Sequence, residues 1–185
     1  VSDAGLDLAI ENAKPLDASI RQELPSYVAA FARVTWNGEP VLQAAAPGVR
    51  FGTARVVPPP GAFLQATPEG ESALVRAAMD AIGSASRVID LFSGCGTFTF
   101  PAAAQASVHA MESEQTLLAA LDHGVRHNQG LKPITTERRD LFRNPVLPED
   151  LTKYEAAIID PPRAGAEAQV AELAQSSIPR IAFVS

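Results

Sequence analysis

Residues 1 to 57 carry the short alternating patterns of hydrophobic and polar positions that are typical of β-strands. Residues 6–10 alternate in this way, and 27–36 is a second β-prone run. That run meets Asn37-Gly38, the favoured pair for a two-residue type I′ turn, so residues 40–43 can return beside it as a hairpin. The stretch 49–57 predicts another strand. This part of the chain is therefore expected to be rich in β-structure.

From residue 58 onward, strands alternate with amphipathic helices. Pro58-Pro59-Pro60-Gly61 ends the first region, so we predict a β-rich segment at 1–60 and a second domain at 61–185. The first helix starts at a Thr67 cap, with Pro68 in its first turn, and stops at Gly83. The predicted strands that follow are 87–92, 107–112, 134–138, 155–159 and 180–184, and the helices are 97–105, 114–128 and 165–176. This alternation predicts an α/β fold, with a parallel sheet covered by helices on both faces.

The composition is that of a folded protein without a membrane helix. Hydrophobic residues make up 46% and charged residues 19% of the chain, which excludes a disordered protein. No apolar run approaches the roughly 20 residues of a membrane span, and no signal peptide is present, so a cytoplasmic location is expected. Cys95 is the single cysteine, which excludes an internal disulfide and a cysteine-rich metal site. We expect no metal site, and a monomer is the default.

The net charge of −6 counts against a nucleic-acid binder, because phosphate binding usually leaves a basic footprint. Six basic or histidine residues nevertheless fall within 18 positions: Arg126, His127, Lys132, Arg138, Arg139 and Arg143. A solvated surface is the ordinary interpretation of such a cluster, and a face that contacts RNA is the alternative.

Candidate ligand-binding residues stand where the predicted strands end, which is where open α/β sheets bind ligands. Strand 87–92 runs into Ser93-Gly94-Cys95-Gly96-Thr97, and two glycines let the backbone turn sharply and approach a ligand closely. Glu112 ends the next strand, 16 residues after Gly96, where its carboxylate can accept hydrogen bonds from two ribose hydroxyls. Ordinary turn glycines and a solvated glutamate are the alternatives.

The glycine pattern favours S-adenosylmethionine over a dinucleotide. A dinucleotide fingerprint needs a third small residue where this chain has Thr99. S-adenosylmethionine has no phosphates, and it needs close backbone approach, a ribose carboxylate and a polar group for the adenine amine. Asp140, after the third strand, is placed for the last role or is a helix cap or loop residue.

The fourth strand ends in the segment Asp160-Pro161-Pro162-Arg163-Ala164-Gly165. Two prolines fix this backbone and remove two N–H donors, so the loop is rigid. Asp160 would then project into the cleft beside a transferable methyl group. The alternative is a core strand that ends in a turn.

These segments resemble the uracil-C5 RNA methyltransferases, which modify tRNA and 23S rRNA. Asp160-Pro161-Pro162-Arg163-x-Gly165 is similar to their DPPRxG motif, and 90–98 resembles their first cofactor loop. Residues 60–65 are similar to their PGxFxQ segment, and 3–7 to their central β-rich region. The chain departs from many relatives at Ser93, where they have cysteine, and at Thr67, where they have asparagine.

The resemblance implies a Rossmann-like class I methyltransferase sheet, S-adenosylmethionine as cofactor and RNA as partner. The residues predicted to contact the cofactor are Gln65, Asp90, Phe92, Gly94, Gly96, Thr97, Glu112, Asp140 and Asp160. The residues predicted to contact the target uracil are Gln65, Asp160 and Arg163.

The family's chemistry also implies what this sequence lacks. In relatives a cysteine thiolate adds to uracil C6, so that C5 can attack the sulfonium methyl, and that cysteine follows the fifth strand in a V-S-C pattern. This sequence ends at Val184-Ser185. We therefore expect a fragment whose sheet is cut after the fifth strand, without the nucleophile and inactive by itself. An iron–sulfur cluster and an RNA-binding β-barrel, found in many relatives, are expected only in a full-length parent.

Two other functions stay open at this point. A non-catalytic module that binds cofactor or RNA would use the same fold, and so would a methyltransferase acting on small molecules or proteins. A fold by itself does not decide among them.

Overall fold

The computed structural model describes residues 2–27 and 30–184 of the chain. Its strands are β1 (Leu6–Ile10), β2 (Phe31–Trp36), β3 (Glu39–Gln43), β4 (Val49–Phe51), β5 (Ala54–Val56), β6 (Arg87–Leu91), β7 (Ser107–Glu112), β8 (Ile134–Arg138), β9 (Ala156–Ile159) and β10 (Ile181–Phe183). Its α-helices are α1 (Ala18–Glu23), α2 (Pro68–Ile82), α3 (Thr99–Ala102), α4 (Gln115–His127), α5 (Pro148–Leu151) and α6 (Glu167–Gln175). A 3₁₀ turn at Leu24–Tyr27 follows α1.

Five parallel strands form the central sheet, in the order β10-β9-β6-β7-β8. Val88 and Ile158 face a cluster that includes residues of α2 and α3, whereas Ile89 and Ile159 face residues of α5 and α6 on the other side. All four residues of β9 are buried, as expected for a central strand covered on both faces. The structure confirms the predicted Rossmann-like α/β fold.

The β-rich segment contains a three-stranded sheet, in which β1 pairs parallel with β2 and β2 pairs antiparallel with β3. Asn37 (φ 49°) and Gly38 (φ 81°) form the turn between β2 and β3, which confirms the predicted hairpin. The predicted strand 27–36 starts only at Phe31, and residues 28 and 29 lie outside the described part of the chain.

The prediction of one strand at 49–57 is wrong, because β4 and β5 form a hairpin that turns at Gly52 (φ 59°). Phe51 and Val56 of this hairpin share a buried cluster with Phe100 and Leu121 of the second region. The Asn128 side chain, just after α4, bonds both the N–H and the C=O of Arg55, at 2.8 and 3.0 Å. The hairpin is thereby attached to α3 and α4 of the second region, while the boundary at residue 60 stays a prediction.

Helix α2 begins and ends as its sequence predicts. Thr67 Oγ1 accepts a hydrogen bond from Gly70 N (3.1 Å), and Gly83, with φ 55°, ends the helix. Two other predicted helices are shorter: α3 covers only Thr99–Ala102 of 97–105, and α6 starts at Glu167 because Gly165 has a φ of 83°. Among the residues that the structure describes, no helix is long and apolar enough to span a membrane.

Candidate functional site at the carboxyl edge of the sheet

The pairing of the three middle strands brings the predicted site residues to one edge. Leu91, the last residue of β6, lies level with Met111 on β7 and with Ile159 on β9. Phe92, Glu112 and Asp160 come directly after these three residues, so they leave neighbouring strands side by side. Asp160 N donates to Leu91 O (3.3 Å), and Ser93 N donates to Met111 O (2.9 Å). We call this region, formed by 92–98, 112–114, 139–146 and 160–165, the carboxyl edge.

The glycine loop after β6 has an unusual backbone that leaves space for a ligand. Phe92 has a φ of 62°, a left-handed conformation that residues with a side chain rarely adopt. Gly94 has a φ of 56°, and a Cβ built on it would have no atom within 4 Å. A Cβ on Gly96 would lie 2.5 Å from Phe100 Cε2, so Gly96 is required by packing. Gly94 therefore lies on the open side of the loop and Gly96 on its packed side.

The carboxylate of Glu112 holds the glycine loop through hydrogen bonds to backbone N–H groups. The sequence did not predict this role. Oε2 accepts from Gly94 N (2.9 Å), and Oε1 accepts from Ser113 N (2.7 Å) and Glu114 N (2.8 Å). The residue is only 8% exposed. Because a carboxylate offers about four acceptor positions, Oε2 keeps a lone pair for a ligand hydroxyl while Oε1 is occupied by the backbone.

Asp90 lies fully buried beneath this loop. Its Oδ2 accepts from Thr99 Oγ1 (2.5 Å), and its Oδ1 has no partner among the described residues. Burial raises the pKa of Asp90 to about 7; the Thr99 hydrogen bond opposes this, and the nearby Asp160 and Glu112 carboxylates add to it. This position supports the loop from below, so the predicted direct contact with a cofactor remains a prediction.

Asp160 and its proline corner form the opposite wall of the carboxyl edge. Asp160 is half-buried, and burial raises its pKa above the usual value for an aspartate. Gly165 N donates to Pro162 O (2.8 Å), which closes the turn, and Arg163 is exposed on it. The corner therefore presents one carboxyl inward and one guanidinium outward.

Asp140 makes mainly local contacts. Its Oδ1 accepts from Phe142 N (3.0 Å), and its Oδ2 lies 3.6 Å from Arg143 Nε. Its position favours the loop-residue interpretation over a free acceptor for an adenine amine. Phe142, which the sequence did not single out, lies edge-on to Phe92 with ring centroids 5.5 Å apart. Its position two residues after Asp140 was the feature of the sequence that could have identified Phe142 as a candidate site residue.

Gln65 and Thr97 complete the predicted set. Gln65 is half-buried and follows Leu64, which packs on the cluster that contains Cys95. Thr97 is half-buried in the turn before α3. Cys95 itself is 2% exposed, and burial raises the pKa of its thiol to about 12, so it does not supply a thiolate.

The basic cluster of the sequence does not form one free cationic face. Arg139 Nε donates to Asn144 O (2.7 Å) and Nη2 to Pro145 O (2.8 Å), so this side chain braces the loop that carries Asp140. Arg138 Nε donates to Ser113 O (3.1 Å), and Arg143 lies beside Asp140. Arg126, His127 and Lys132 are exposed. In the described residues, no group of three or more metal-ligating side chains gathers.

None of the protein-family models compared with the chain matches it. Individual proteins are nevertheless similar to it in sequence. A Brucella suis protein named an uncharacterized RNA methyltransferase is 45% identical over 187 residues, covering the whole chain and 45% of the relative. A Chromohalobacter salexigens protein named 23S rRNA (uracil(1939)-C(5))-methyltransferase RlmD is 34% identical over 129 residues, covering 68% of the chain and 26% of the relative. The chain is homologous to these RNA methyltransferases.

This homology confirms the predicted resemblance to RNA methyltransferases, and one of the matching relatives is named a uracil-C5 enzyme. The chain spans about half the length of the curated relatives it matches over its whole length. A solved structure of Pyrococcus abyssi tRNA (uracil-54, C5)-methyltransferase, in complex with S-adenosyl-L-homocysteine, has a TM-score of 0.70 at 18% identity. The match covers 95% of this chain and 44% of that protein, and at this identity it shows a shared fold.

Proposed function

We propose that this chain forms the S-adenosylmethionine-binding part of an enzyme that methylates uracil C5 in tRNA or 23S rRNA. The observation that carries the proposal is the hydrogen bond from Gly94 N to Glu112, with Asp160 directly after β9, the neighbour of β6. One edge thus combines an open glycine turn, an acid for ribose hydroxyls and the rigid Asp-Pro-Pro corner.

The described residues fit S-adenosylmethionine in shape and in charge. The open space above Gly94 admits the close approach of a ligand. Asp90 Oδ1 and Ser93 Oγ are buried polar atoms without a partner among the described residues, and an ammonium group of the cofactor matches such acceptors. The acidic side chains of Glu112 and Asp160 at one edge favour a cationic sulfonium compound over an anionic dinucleotide.

The cofactor would supply the electrophilic methyl group, and the residues of this chain would hold and orient the reactants. Glu112 would bind ribose through Oε2, and Phe92 and Thr97 would contact the cofactor on the loop side. Gln65 and Asp160 would face both cofactor and uracil, and Arg163 would contact the RNA from the exposed side of its corner.

Activation of uracil needs a thiolate that adds to C6, because C5 of uracil is a poor nucleophile. Cys95 is the single cysteine of residues 1–185 and is buried with a raised pKa. We therefore assign the nucleophile to a part of the parent enzyme outside this sequence. Transfer of a labelled methyl group to RNA by the parent enzyme, with 5-methyluridine as the product, tests the assignment of the reaction.

Cofactor binding is tested by calorimetry with S-adenosylhomocysteine on two glycine variants. Gly94 (φ 56°) and Gly130 (φ 78°) both have positive φ and nothing within 4 Å of a built Cβ, so alanine strains each backbone similarly. Gly94→Ala places a methyl group in the proposed ligand space and is expected to weaken binding at least about tenfold. A tenfold loss of affinity corresponds to about 1.4 kcal/mol of binding free energy.

Gly130→Ala is the matched control and is expected to bind S-adenosylhomocysteine like the unmodified chain. Equal affinities of the two variants, or no binding by the unmodified chain, would contradict the proposed cofactor site.

A further inference from the structure

A cavity of about 140 Å³ lies between β1 and the loop that leads from Pro58 to Leu64. Asp7 and Ala9 line it from β1, and Pro58, Ala62 and Leu64 line it from the loop. None of its lining residues is among the predicted cofactor or uracil contacts. Leu64 of the cavity wall directly precedes Gln65, a predicted contact of both cofactor and uracil, so the cavity adjoins the proposed site along the chain.

The size of the cavity matches one six-membered ring. A cavity of about 150 Å³ with apolar walls holds a benzene molecule, so 140 Å³ accommodates a pyrimidine ring and is small for a purine. Most of the residues that line it are apolar, and Ser2 and Asp7 add polar groups to its walls.

A fixed acceptor stands on one wall. The Asp7 carboxylate accepts from Arg33 Nε (2.8 Å) and from Arg33 Nη2 (2.6 Å), and Nη2 also donates to Pro58 O (2.9 Å). The Arg33 side chain is only 9% exposed, which holds the carboxylate in place, whereas the Asp7 side chain is 24% exposed. Each carboxylate oxygen keeps a lone pair, so the cavity presents acceptors to an N–H donor.

We propose that this cavity binds an unstacked pyrimidine base of the RNA, next to the target uridine, with Asp7 accepting a hydrogen bond from its Watson–Crick edge. Proteins that recognise RNA by sequence commonly bind splayed-out bases through that edge. The inference rests on the proposed function, since it needs RNA at the carboxyl edge.

The test is ¹H–¹⁵N NMR of the 185-residue chain titrated with uridine, with 3-methyluridine and with a hexanucleotide of uridines. Uridine is expected to shift the amides of Asp7, Ala9 and residues 61–64 in a saturable way. 3-Methyluridine lacks the N3–H donor, so it is expected to bind at least about tenfold more weakly. The hexanucleotide is expected to shift the same amides at a lower concentration than uridine.

Ala9→Met fills the cavity and is expected to abolish these shifts, whereas Ala13→Met, outside the cavity, is expected to keep them. The spectra also report folding, and Ala62→Leu replaces Ala9→Met if that variant is unfolded. Shifts that survive both filling variants, equal binding of the two nucleosides, or no saturable shift would overturn the proposal. Binding of uridine without binding of the hexanucleotide would overturn the assignment to RNA.

A titration with S-adenosylhomocysteine in the same samples reports separately on the proposed function. It is expected to shift Gly94 and Glu112 in the unmodified chain and in Ala9→Met alike. A failure of the pyrimidine cavity is thus distinguishable from a failure of the cofactor site.

Discussion

Carboxyl groups lie at both edges of the central sheet, the one where the parallel strands begin (the amino edge) and the one where they end (the carboxyl edge). The pKa of Glu155 at the amino edge and the pKa values of Asp90 and Asp160 at the carboxyl edge are shifted in opposite directions. At the amino edge, Glu155 accepts from Ser86 N (2.7 Å) and lies 3.1 Å from Arg87, and these hydrogen bonds lower the pKa of Glu155. At the carboxyl edge, burial raises the pKa of Asp90 and of Asp160. The charged form is therefore favoured for Glu155 and disfavoured for Asp90 and Asp160.

This difference separates groups that stabilise the fold from groups that are available to a ligand. Glu155 is half-buried and its partners are supplied by the chain. The carboxyl edge instead combines a left-handed Phe92 with buried polar atoms of Asp90 and Ser93 that lack a partner in the described residues. Such features cost stability and concentrate at binding sites.

Asp90→Asn is expected to give the largest effect. In the unfolded chain Asp90 loses its proton near pH 3.8, the ordinary pKa of an aspartate, whereas in the folded protein it holds the proton until about pH 7. The folded state thus binds more protons between these values, and the stability of the unmodified chain falls as the pH rises from about 4 to 7. The variant removes this penalty, and the gain is at most about 4 kcal/mol above pH 7.

Urea unfolding at pH 4 and at pH 8 measures this effect. The two proteins are expected to differ little at pH 4, and the variant is expected to be more stable at pH 8. A variant that is destabilised equally at both pH values would show that Asp90 is held as a charged, well-paired group like Glu155.

Arg139→Met tests a side chain at the carboxyl edge whose guanidinium is hydrogen-bonded to the backbone of a neighbouring loop. Loss of its hydrogen bonds to Asn144 O and Pro145 O is expected to cost about 1–3 kcal/mol of unfolding free energy. It is also expected to weaken S-adenosylhomocysteine binding, because the loop with Asp140 and Phe142 loses its brace. Arg126→Met, at an exposed residue of α4 outside the carboxyl edge, is the control, and equal effects of the two variants would refute the brace.

Glu155→Gln is expected to give the smallest effect and the opposite sign to Asp90→Asn. Because the pKa of Glu155 is lowered in the folded state, its contribution is present above the unfolded pKa and is lost as the pH falls through the folded value. The variant is therefore expected to be slightly less stable than the unmodified chain at pH 7 and equal to it at pH 2. A gain in stability at pH 7 would remove the contrast between the edges.

The sequence predicted the hairpin at Asn37-Gly38 and the alternating strands and helices after residue 60, because both depend on local periodicity and on turn residues, but it did not predict the short helices α1 and α5. It did not predict the hairpin at Gly52, since residues 49–57 read as one continuous β-prone run. Glu112 is a second example: its binding of three backbone N–H groups depends on how two loops meet in space. Arg139 is a third, because its acceptors are carbonyl oxygens, which any residue type provides.

A crystal structure of the chain with S-adenosylhomocysteine tests the proposed cofactor site most directly. We predict that the ligand lies over Gly94, with a ribose hydroxyl within about 3.2 Å of Glu112 Oε2 and the homocysteine sulfur on the side of Asp160. Ligand density on another face of the sheet, or a carboxyl edge that stays empty at saturating ligand, would contradict this site.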